Sequence, residues 1–201
     1  MLWLAAAPLV LASRSAIRRT LLETAGVPIE IRPADIDERG IEAKAPLQAP
    51  VAVAAVLARE KAAVIARTMP GRLVLGADQM LSLNGVRFSK PADRAAARAQ
   101  LAKLSGQTHE LYSAIAFARN GAMLFEHVGV ARLTMRAFSD RFLDNYLDAA
   151  GDAATASVGA YQLEGLGIQL FERIEGDYFT VLGLPLITAL DFLRRHGCLV
   201  Q

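Results

Sequence analysis

A group of hydroxyl and guanidinium side chains follows the first apolar segment of the chain. Residues 13–15 read Ser-Arg-Ser directly after the apolar residues 9–12, and Arg18 and Arg19 lie in a predicted helix that begins there. A helix N-terminus offers unbonded backbone N–H groups and the positive end of the helix dipole, and arginine makes bidentate contacts with phosphate. The segment therefore predicts a phosphate site. The alternative is that Ser15 only caps the helix and the arginines are solvated.

A carboxylate ends the second apolar segment. Residues 73–75 predict a buried strand that ends at residues 76–78, which places Asp78 at its carboxyl end. Ligands gather at the carboxyl ends of strands in α/β sheets, and a carboxylate there could hold a metal or take a proton from water. The alternative is an ordinary aspartate in a turn.

Three other positions carry polar side chains next to structural signals. Lys61 lies in an alanine-rich predicted helix, and Lys90 follows a predicted hairpin. Each could be an ordinary surface lysine. Residues 159–167 are rich in glycine, which lets a backbone pass close to a ligand, and they include Glu164. The alternative for this segment is a structural bulge.

The histidines and the single cysteine show no metal-ligand spacing. His109, His127 and His196 are far apart in sequence, and Cys198 lies in the tail after the last predicted helix. We therefore interpret the histidines as structural or solvated. A single cysteine cannot form an intrachain disulfide, which favours a reducing compartment and hence the cytoplasm.

The elements that position these residues alternate between helices and strands, with hairpins as well as crossovers. This pattern predicts an α/β fold with a mixed sheet. Predicted strands cover residues 9–12, 29–31, 73–75, 80–83, 86–88, 110–118 and 123–133, and predicted helices cover 16–25, 51–66, 91–104, 139–150 and 185–196. Residues 38–50 are predicted to be a loop, and Asn84-Gly85 predicts a type I′ hairpin turn.

The composition fits a globular protein and excludes several classes. The 201 residues are 53% hydrophobic and 21% charged, and the net charge is only +2, which argues against a nucleic-acid-binding protein. Residues 1–13 carry no charged side chain, so they lack the basic start of a signal peptide, and the apolar run is too short to cross a membrane. We therefore expect no membrane association and interpret this run as the first strand.

Taken in order, short segments along nearly the whole chain resemble the Maf family, the septum-formation-associated nucleotide pyrophosphatases. Each segment is short, but the ordered set is highly specific. Residues 11–19 resemble the family's opening Leu-Ala-Ser-x-Ser-Pro-x-Arg. Further matches are residues 35–38 (an acidic loop), 59–62 (Arg-Glu-Lys-Ala), 75–79 (Leu-Gly-Ala-Asp-Gln), 89–91, 104–109, 159–161, 164–167, 174–176 and 181–185.

The resemblance implies both a fold and a reaction. The fold is a single Maf-like domain over residues 1–201, an elongated mixed α/β sheet with two lobes around a central cleft, similar to inosine triphosphate pyrophosphatases. In the reaction, water attacks the α-phosphorus of a nucleoside triphosphate and pyrophosphate leaves. A divalent cation, Mg²⁺ or Mn²⁺, and a homodimer are also implied.

The resemblance assigns roles to individual residues. Asp78 would be the general base that activates water, and Glu38 would assist through the metal, so both carboxylates are candidate metal ligands. The phosphate-binding side chains would be Ser13, Arg18, Lys61 and Lys90. Such a set suits phosphoryl transfer, which depends on positioning and on neutralising phosphate charge.

Three positions bear on which nucleotide is used. A family branch acting on dTTP and UTP has Ser-Pro-Arg-Arg, Gly-Ala-Asp-Thr and a glutamine before the late Gly-x-Gly, and a branch acting on 7-methyl-GTP has Ser-Pro-Trp-Arg-Arg, Asp-Gln and a glutamate. Gln79 and Glu164 agree with the second branch, whereas Ile17 replaces its tryptophan. Apart from these three positions, Ala16 replaces the proline that both branches share. We therefore expect 7-methyl-GTP as the preferred substrate. The alternatives are dTTP or UTP, or a nucleotide-binding septum regulator with little turnover.

Overall fold

The computed structural model describes residues 2–44 and 49–201, and within these ranges strands and helices alternate along the chain. The strands are β1 (Leu9–Ala12), β2 (Ile29–Ile31), β3 (Val74–Leu83), β4 (Val86–Phe88), β5 (Thr108–Arg119), β6 (Ala122–Met135) and β7 (Phe171–Glu175). The helices are α1 (Ala16–Thr24), α2 (Glu38–Lys44), α3 (Pro50–Thr68), α4 (Arg94–Leu104), α5 (Asp140–Ala150), α6 (Ala153–Ala156), α7 (Tyr178–Val181) and α8 (Leu186–Arg195).

The strands of the described ranges form one seven-stranded mixed sheet. Its order is β2-β1-β3-β5-β6-β7, and β4 pairs with the end of β3. β1 is parallel to both β2 and β3, and the remaining pairs are antiparallel. The α/β class with a mixed sheet, predicted from the sequence, is confirmed.

Side-chain alternation along β1 divides the core between the two faces of the sheet. Leu9 and Leu11 pack on the face covered by α8, whereas Val10 and Ala12 pack on the face covered by α3. Each of these four residues is buried, as expected for a parallel strand covered on both faces. A third apolar cluster surrounds α4, α5 and the far end of the sheet, so the core has a separate part at each end.

A row of small residues lets α3 lie directly on β3. Ala54, Ala58, Ala62 and Ala66 recur every fourth position of α3 and are fully buried. Ala58 and Ala62 face Gly76, where an added Cβ would lie 2.2 Å from the carbonyl oxygen of Ala58. Helix and strand therefore meet backbone to backbone at this point, which brings the next polar residues of both elements close together.

The predicted loop at residues 38–50 is wrong in its first half, where the structure has α2. The Asp37 carboxylate accepts a 2.9 Å hydrogen bond from the Gly40 N–H, which satisfies a backbone donor at the start of this helix. Residues 45–48 lie outside the described ranges. The correction matters because Glu38 is the first residue of α2 and not part of an irregular segment.

The prediction that the second apolar strand ends at residues 76–78 is also wrong. β3 continues to Leu83 because β5 pairs with it from Val74 to Ser82 without interruption. The predicted hairpin is confirmed, since β4 pairs with the end of β3 around Asn84 (φ 51°) and Gly85 (φ 81°), the positive values that a type I′ turn requires.

Several short elements were not predicted, although the longer ones were. β7 pairs with the end of β6, and α6 and α7 are single turns of four residues. Of the helices in the described part of the chain, none combines the length and the apolar character needed to cross a membrane.

Candidate active site

One large cleft of about 920 Å³ opens beside the middle of β3, a size typical of small-molecule sites. Its walls come from the β1–α1 turn, the segment before α2, α3, β3, the end of β4 and residues 156–164. The structure brings all nine of the predicted site residues to this cleft, which are Ser13, Ile17, Arg18, Glu38, Lys61, Asp78, Gln79, Lys90 and Glu164.

The cleft exists because one side of β3 is left unpaired over a few residues. β1 pairs with β3 only as far as Gly76, and β4 begins to pair at Leu81, whereas β5 occupies the opposite side throughout. Asp78 therefore lies in the middle of a ten-residue strand and not at its carboxyl end, which corrects the predicted position. The strand that does end at the cleft is β1, at Ala12, so the rule for ligand sites in parallel sheets applies to β1.

Arg18 fills part of this open edge. Its Nη1 donates to the Ala77 carbonyl oxygen (2.8 Å) and to Ser13 Oγ (3.1 Å), and its Nε donates to the Gly183 carbonyl oxygen (2.8 Å). Burial lowers the pKa of the Arg18 guanidinium, and the negative charges of Asp78 and Glu38 oppose that shift. Arg18 thus ties β1, β3 and the turn before α8 together, and Nη2 remains for a ligand in the cleft.

The β1–α1 turn combines a helix cap with a set of donors. Ser15 is the N-cap of α1, and its Oγ accepts from the Arg18 backbone N–H at 3.5 Å. Ser13 Oγ accepts from the Ser15 N–H (3.2 Å) and from Arg18, so its own hydroxyl proton is available to an anion. Capping and phosphate binding are therefore compatible here. Arg19 points away and pairs with Glu23 on the helix surface.

The central feature of the cleft is a lysine between two carboxylates. Lys61 Nζ lies 2.7 Å from Asp78 Oδ1 and 2.8 Å from Glu38 Oε1. The side chains of Lys61 and Asp78 are only 12% and 10% exposed, whereas that of Glu38 is 48% exposed. The close packing of α3 on β3 brings Lys61 and Asp78 together, and α2 supplies the third member.

The environment of Asp78 favours its protonated form more than water does. Burial raises the pKa of the Asp78 carboxyl above its ordinary value of 3.8; the positive charges of Lys61 and Arg18 act against that shift, and the charge of Glu38 reinforces it. A carboxylate with a raised pKa is a better proton acceptor than an ordinary surface aspartate. Lys61 contacts Oδ1, which leaves Oδ2 to face the cleft or a water molecule.

Asp78 and Glu38 are suitable ligands for a hard divalent cation that also binds substrate. Mg²⁺ is held in many enzymes by one or two carboxylates together with substrate phosphates and water. Within residues 2–44 and 49–201, no group of three or more His, Cys, Asp or Glu side chains is arranged to bind a metal alone. The donor set therefore fits a cation that completes its coordination with phosphate oxygens.

The remaining predicted residues lie around the rim and wall of the cleft. Lys90, which follows β4, and Glu164, in the segment of residues 156–164, are exposed, and Ile17 is half-buried on α1. Gln79 projects to the other face of β3 from Asp78, and its Nε2 donates to the Val181 carbonyl oxygen (2.9 Å). Gln79 therefore holds the wall of the cleft in place rather than presenting its amide nitrogen to a ligand.

Sequence reasoning missed Arg39 and Phe88, which also line the cleft. Arg39 follows Glu38 on α2. It was missed because residues 38–50 were predicted to be a loop. Phe88 is the last residue of β4, two positions before Lys90, and is half-buried. The sequence feature that could have indicated Phe88 is its place between the hairpin and the Ser-Lys-Pro motif, because an aromatic ring near a candidate phosphate-binding lysine could stack on a nucleotide base.

Comparison with known proteins gives a consistent family match. The family model described as "Maf-like protein" matches residues 8–196, a range that includes all nine predicted site residues. A protein of Rhodopseudomonas palustris named nucleoside triphosphate pyrophosphatase is 56% identical over 198 residues, which cover 98% of both chains. Relatives of the same name occur in Bradyrhizobium diazoefficiens (57% identical, covering 97% of this chain and 96% of the relative) and Paramagnetospirillum magneticum (51%, covering 95% and 100%).

Proposed function

Because the chain belongs to the Maf family, we propose that it hydrolyses a nucleoside triphosphate to the nucleoside monophosphate and pyrophosphate. The observation that carries this proposal is the buried Asp78 carboxylate, paired with a Lys61 ammonium that also contacts Glu38, in a cleft that also contains the α1 N-terminus and Arg18. These groups provide a base and a set of phosphate-binding donors on one surface.

The proposed reaction forms one bond and breaks one. A water oxygen attacks the α-phosphorus, the bond from that phosphorus to the bridging oxygen breaks, and pyrophosphate leaves with the electron pair. Asp78 takes the proton from the attacking water through Oδ2. Ser13, Lys61, Lys90 and the Nη2 of Arg18 hold the phosphate oxygens in position, and their positive charges and donors stabilise the charge that spreads over these oxygens. A divalent cation, held by Glu38 and Asp78, supplies further neutralisation of that charge when it is bound.

We propose 7-methyl-GTP as the preferred substrate. The 7-methylguanine ring carries a positive charge, and its N1–H and N2 amine are donors, so an anionic acceptor complements it. Glu164 is such an acceptor on the wall of the cleft, and it is exposed to an incoming ligand. Ile17 and Phe88 supply apolar surface in the same cleft, while Gln79 supports the wall. The names of the relatives above specify no particular nucleotide.

We also propose that residues 1–201 form one Maf-like domain that acts as a homodimer in the cytoplasm. The family match from residue 8 to residue 196 and the single sheet that connects both parts of the core support one domain. The homodimer and the compartment rest on the family resemblance and on the single cysteine.

The test is pyrophosphate release from a panel of triphosphates with Mg²⁺ or Mn²⁺. The panel contains 7-methyl-GTP, GTP, dTTP, UTP, CTP and ITP. We expect 7-methyl-GTP to have the highest kcat/KM. A preference for dTTP or UTP would keep the reaction and overturn the substrate. Release from none of the six would overturn the reaction and favour a nucleotide-binding septum regulator.

A further inference from the structure

Lys61 occupies the space between the two carboxylates that are candidate metal ligands. A single Nζ contacts Asp78 Oδ1 and Glu38 Oε1 at 2.7 and 2.8 Å. We infer that Lys61 serves as an internal counter-cation in the free protein, so that a divalent cation binds strongly only when substrate phosphates draw the ammonium away. This inference rests on the proposed function, since it assigns a metal and a phosphate ligand to the same cleft.

The geometry makes ammonium and metal alternatives at this position. A divalent cation that binds both carboxylates must lie within about 2.0–2.6 Å of an oxygen of each, close to the place where Nζ now lies. Both oxygens already converge on one small cation. Asp78 is fixed in the middle of a strand, but Glu38 is half-exposed on the first turn of α2, so it can make the small movement that shorter metal bonds require.

The charges lead to the same conclusion. Lys61 and the buried guanidinium of Arg18 already offset the charges of Asp78 and Glu38. A dication added beside the ammonium would face strong repulsion, because Lys61 and Asp78 are largely buried and their charges are weakly screened. The ammonium must therefore leave before the metal binds both carboxylates, and it needs another acceptor in the cleft.

A triphosphate supplies that acceptor. The α1 N-terminus, where its oxygens would bind, lines the same cleft as Lys61, and lysine is a flexible point charge that can change partners. Phosphate binding by Lys61 then favours metal binding, because it moves the ammonium away from Asp78 and Glu38. Metal binding in turn favours phosphate binding, because it displaces Lys61 from the carboxylates. Lys61 thus has two successive positions, one between the carboxylates and one on the phosphates.

The experiment measures Mn²⁺ binding to the protein without nucleotide, by electron paramagnetic resonance of free Mn²⁺ during titration. The first variant is Lys61→Met, which removes the charge and keeps a side chain of similar length. The second is Lys61→Gln, which also removes the charge but keeps an N–H donor for the carboxylates, so it covers the case in which Lys61→Met does not fold. The matched control is Lys90→Met, because Lys90 lines the cleft and is exposed, whereas the ion pairs of the two carboxylates are with Lys61. Circular dichroism checks that each variant is folded.

We expect the Mn²⁺ dissociation constant to fall by about tenfold or more in Lys61→Met and Lys61→Gln and to stay unchanged in Lys90→Met. Adding Glu38→Gln or Asp78→Asn to Lys61→Met should abolish the gain, since each removes a ligand. An unchanged or larger dissociation constant in folded Lys61→Met and Lys61→Gln would overturn the inference. Pyrophosphate release by the wild type is a separate readout, so failure of the proposed function and failure of this role of Lys61 are distinguishable.

Discussion

Arg18 and Gly183 are 165 positions apart in the chain, yet the Arg18 Nε donates a 2.8 Å hydrogen bond to the Gly183 carbonyl oxygen. The same guanidinium binds the Ala77 carbonyl oxygen and Ser13 Oγ. Gly183 has a φ of 92°, a backbone conformation that favours glycine, so a glycine suits the turn that presents this carbonyl oxygen to Arg18. Arg18 therefore joins the β1–α1 turn to the turn before α8 while it lines the cleft.

Replacing Arg18 with lysine should test that structural role. Lysine keeps the charge, but its single nitrogen cannot reproduce the fork that reaches three acceptors on different elements. We expect Arg18→Lys to lower the free energy of unfolding by about 2–4 kcal/mol, measured by urea denaturation. Arg19→Lys is the matched control, because Arg19 is exposed and pairs with Glu23 on the helix surface, and it should change stability by less than about 0.5 kcal/mol. Equal stability of the two variants would contradict the role.

Replacing Asp78 with asparagine should stop the chemistry without unfolding the protein. Asparagine keeps the shape and can still accept a hydrogen bond from Lys61, but it cannot take a proton from water. We expect kcat for pyrophosphate release to fall about 10²–10⁴-fold. Asp148→Asn, on the exposed face of α5 next to Arg94, is the control and should keep wild-type turnover. Wild-type turnover in a folded Asp78→Asn would remove Asp78 from the mechanism.

Glu164 should determine selectivity for a cationic base. We expect Glu164→Gln to lower the ratio of kcat/KM for 7-methyl-GTP to that for GTP by about tenfold, because the amide loses the charge that complements the methylated ring. The measurement is competition between the two nucleotides in one assay. Glu172→Gln, exposed on β7, serves as the control. If both variants give the wild-type ratio, the base is recognised by other residues.

A methyl group at Gly76 should disturb both stability and catalysis. The added Cβ would lie 2.2 Å from the Ala58 carbonyl oxygen and 2.6 Å from the Ala62 nitrogen, so α3 has to move away from β3. We expect Gly76→Ala to cost about 3 kcal/mol of unfolding free energy. It should also lower kcat, because Lys61 moves with α3. Gly165→Ala is the control, because the nearest atom to a Cβ there is 3.8 Å away, so it should lower the unfolding free energy only slightly. A similar loss of unfolding free energy in both variants would refute the steric argument.

His109 should make stability depend on pH. It is fully buried, and its Nε2 is hydrogen-bonded to Tyr161 Oη at 2.8 Å. Burial lowers the pKa of His109 from 6.5 to about 4. The unfolded chain therefore binds a proton that the folded chain does not between these values, so stability is complete above pH 6.5 and is lost as the pH falls towards 4.

The corresponding variant is His109→Gln, whose side chain can still contact Tyr161 but does not titrate. We expect the loss of unfolding free energy between pH 7 and pH 4 to be smaller than in the wild type by about 3 kcal/mol. Urea denaturation at several pH values measures this difference. His127→Gln is the comparison: burial lowers the pKa of His127 too, but this residue is only half-buried on β6, so the effect of the variant should be smaller than that of His109→Gln. If the unfolding free energy of wild type and of His109→Gln changes with pH in parallel, His109 does not contribute to the pH dependence of stability.

The sequence predicted the periodic elements well because their signals are local. β1, the hairpin at Asn84-Gly85 and the helix capped by Ser139 follow from alternation, turn chemistry and capping. The course of β3 was not predictable in this way. Gly76 and Asp78 are unfavourable in a strand, and only the contact with α3 and the full pairing with β5 explain why the strand continues through them.

The identity of the cleft residues was predicted better than their contacts. The ordered motifs named the residues that line the cleft, but no pattern indicated that Lys61 bridges Asp78 and Glu38, because that contact depends on how α2, α3 and β3 pack together. In the same way, Gln79 looked like a residue that contacts the base, whereas the structure uses its amide nitrogen to hold Val181 and Ser113.

The stretch of β3 between Gly76 and Leu81, one side of which pairs with no strand in the described ranges, also bears on how the protein avoids aggregation through strand addition. An unpaired strand edge is a template on which another extended chain can add and start aggregation. Here the Ala77 carbonyl oxygen is already bound by the buried guanidinium of Arg18, and α1 covers the approach. The residue proposed to bind the substrate therefore also occupies a backbone acceptor that an added β-strand would use, and its removal would open the floor of the cleft to strand addition.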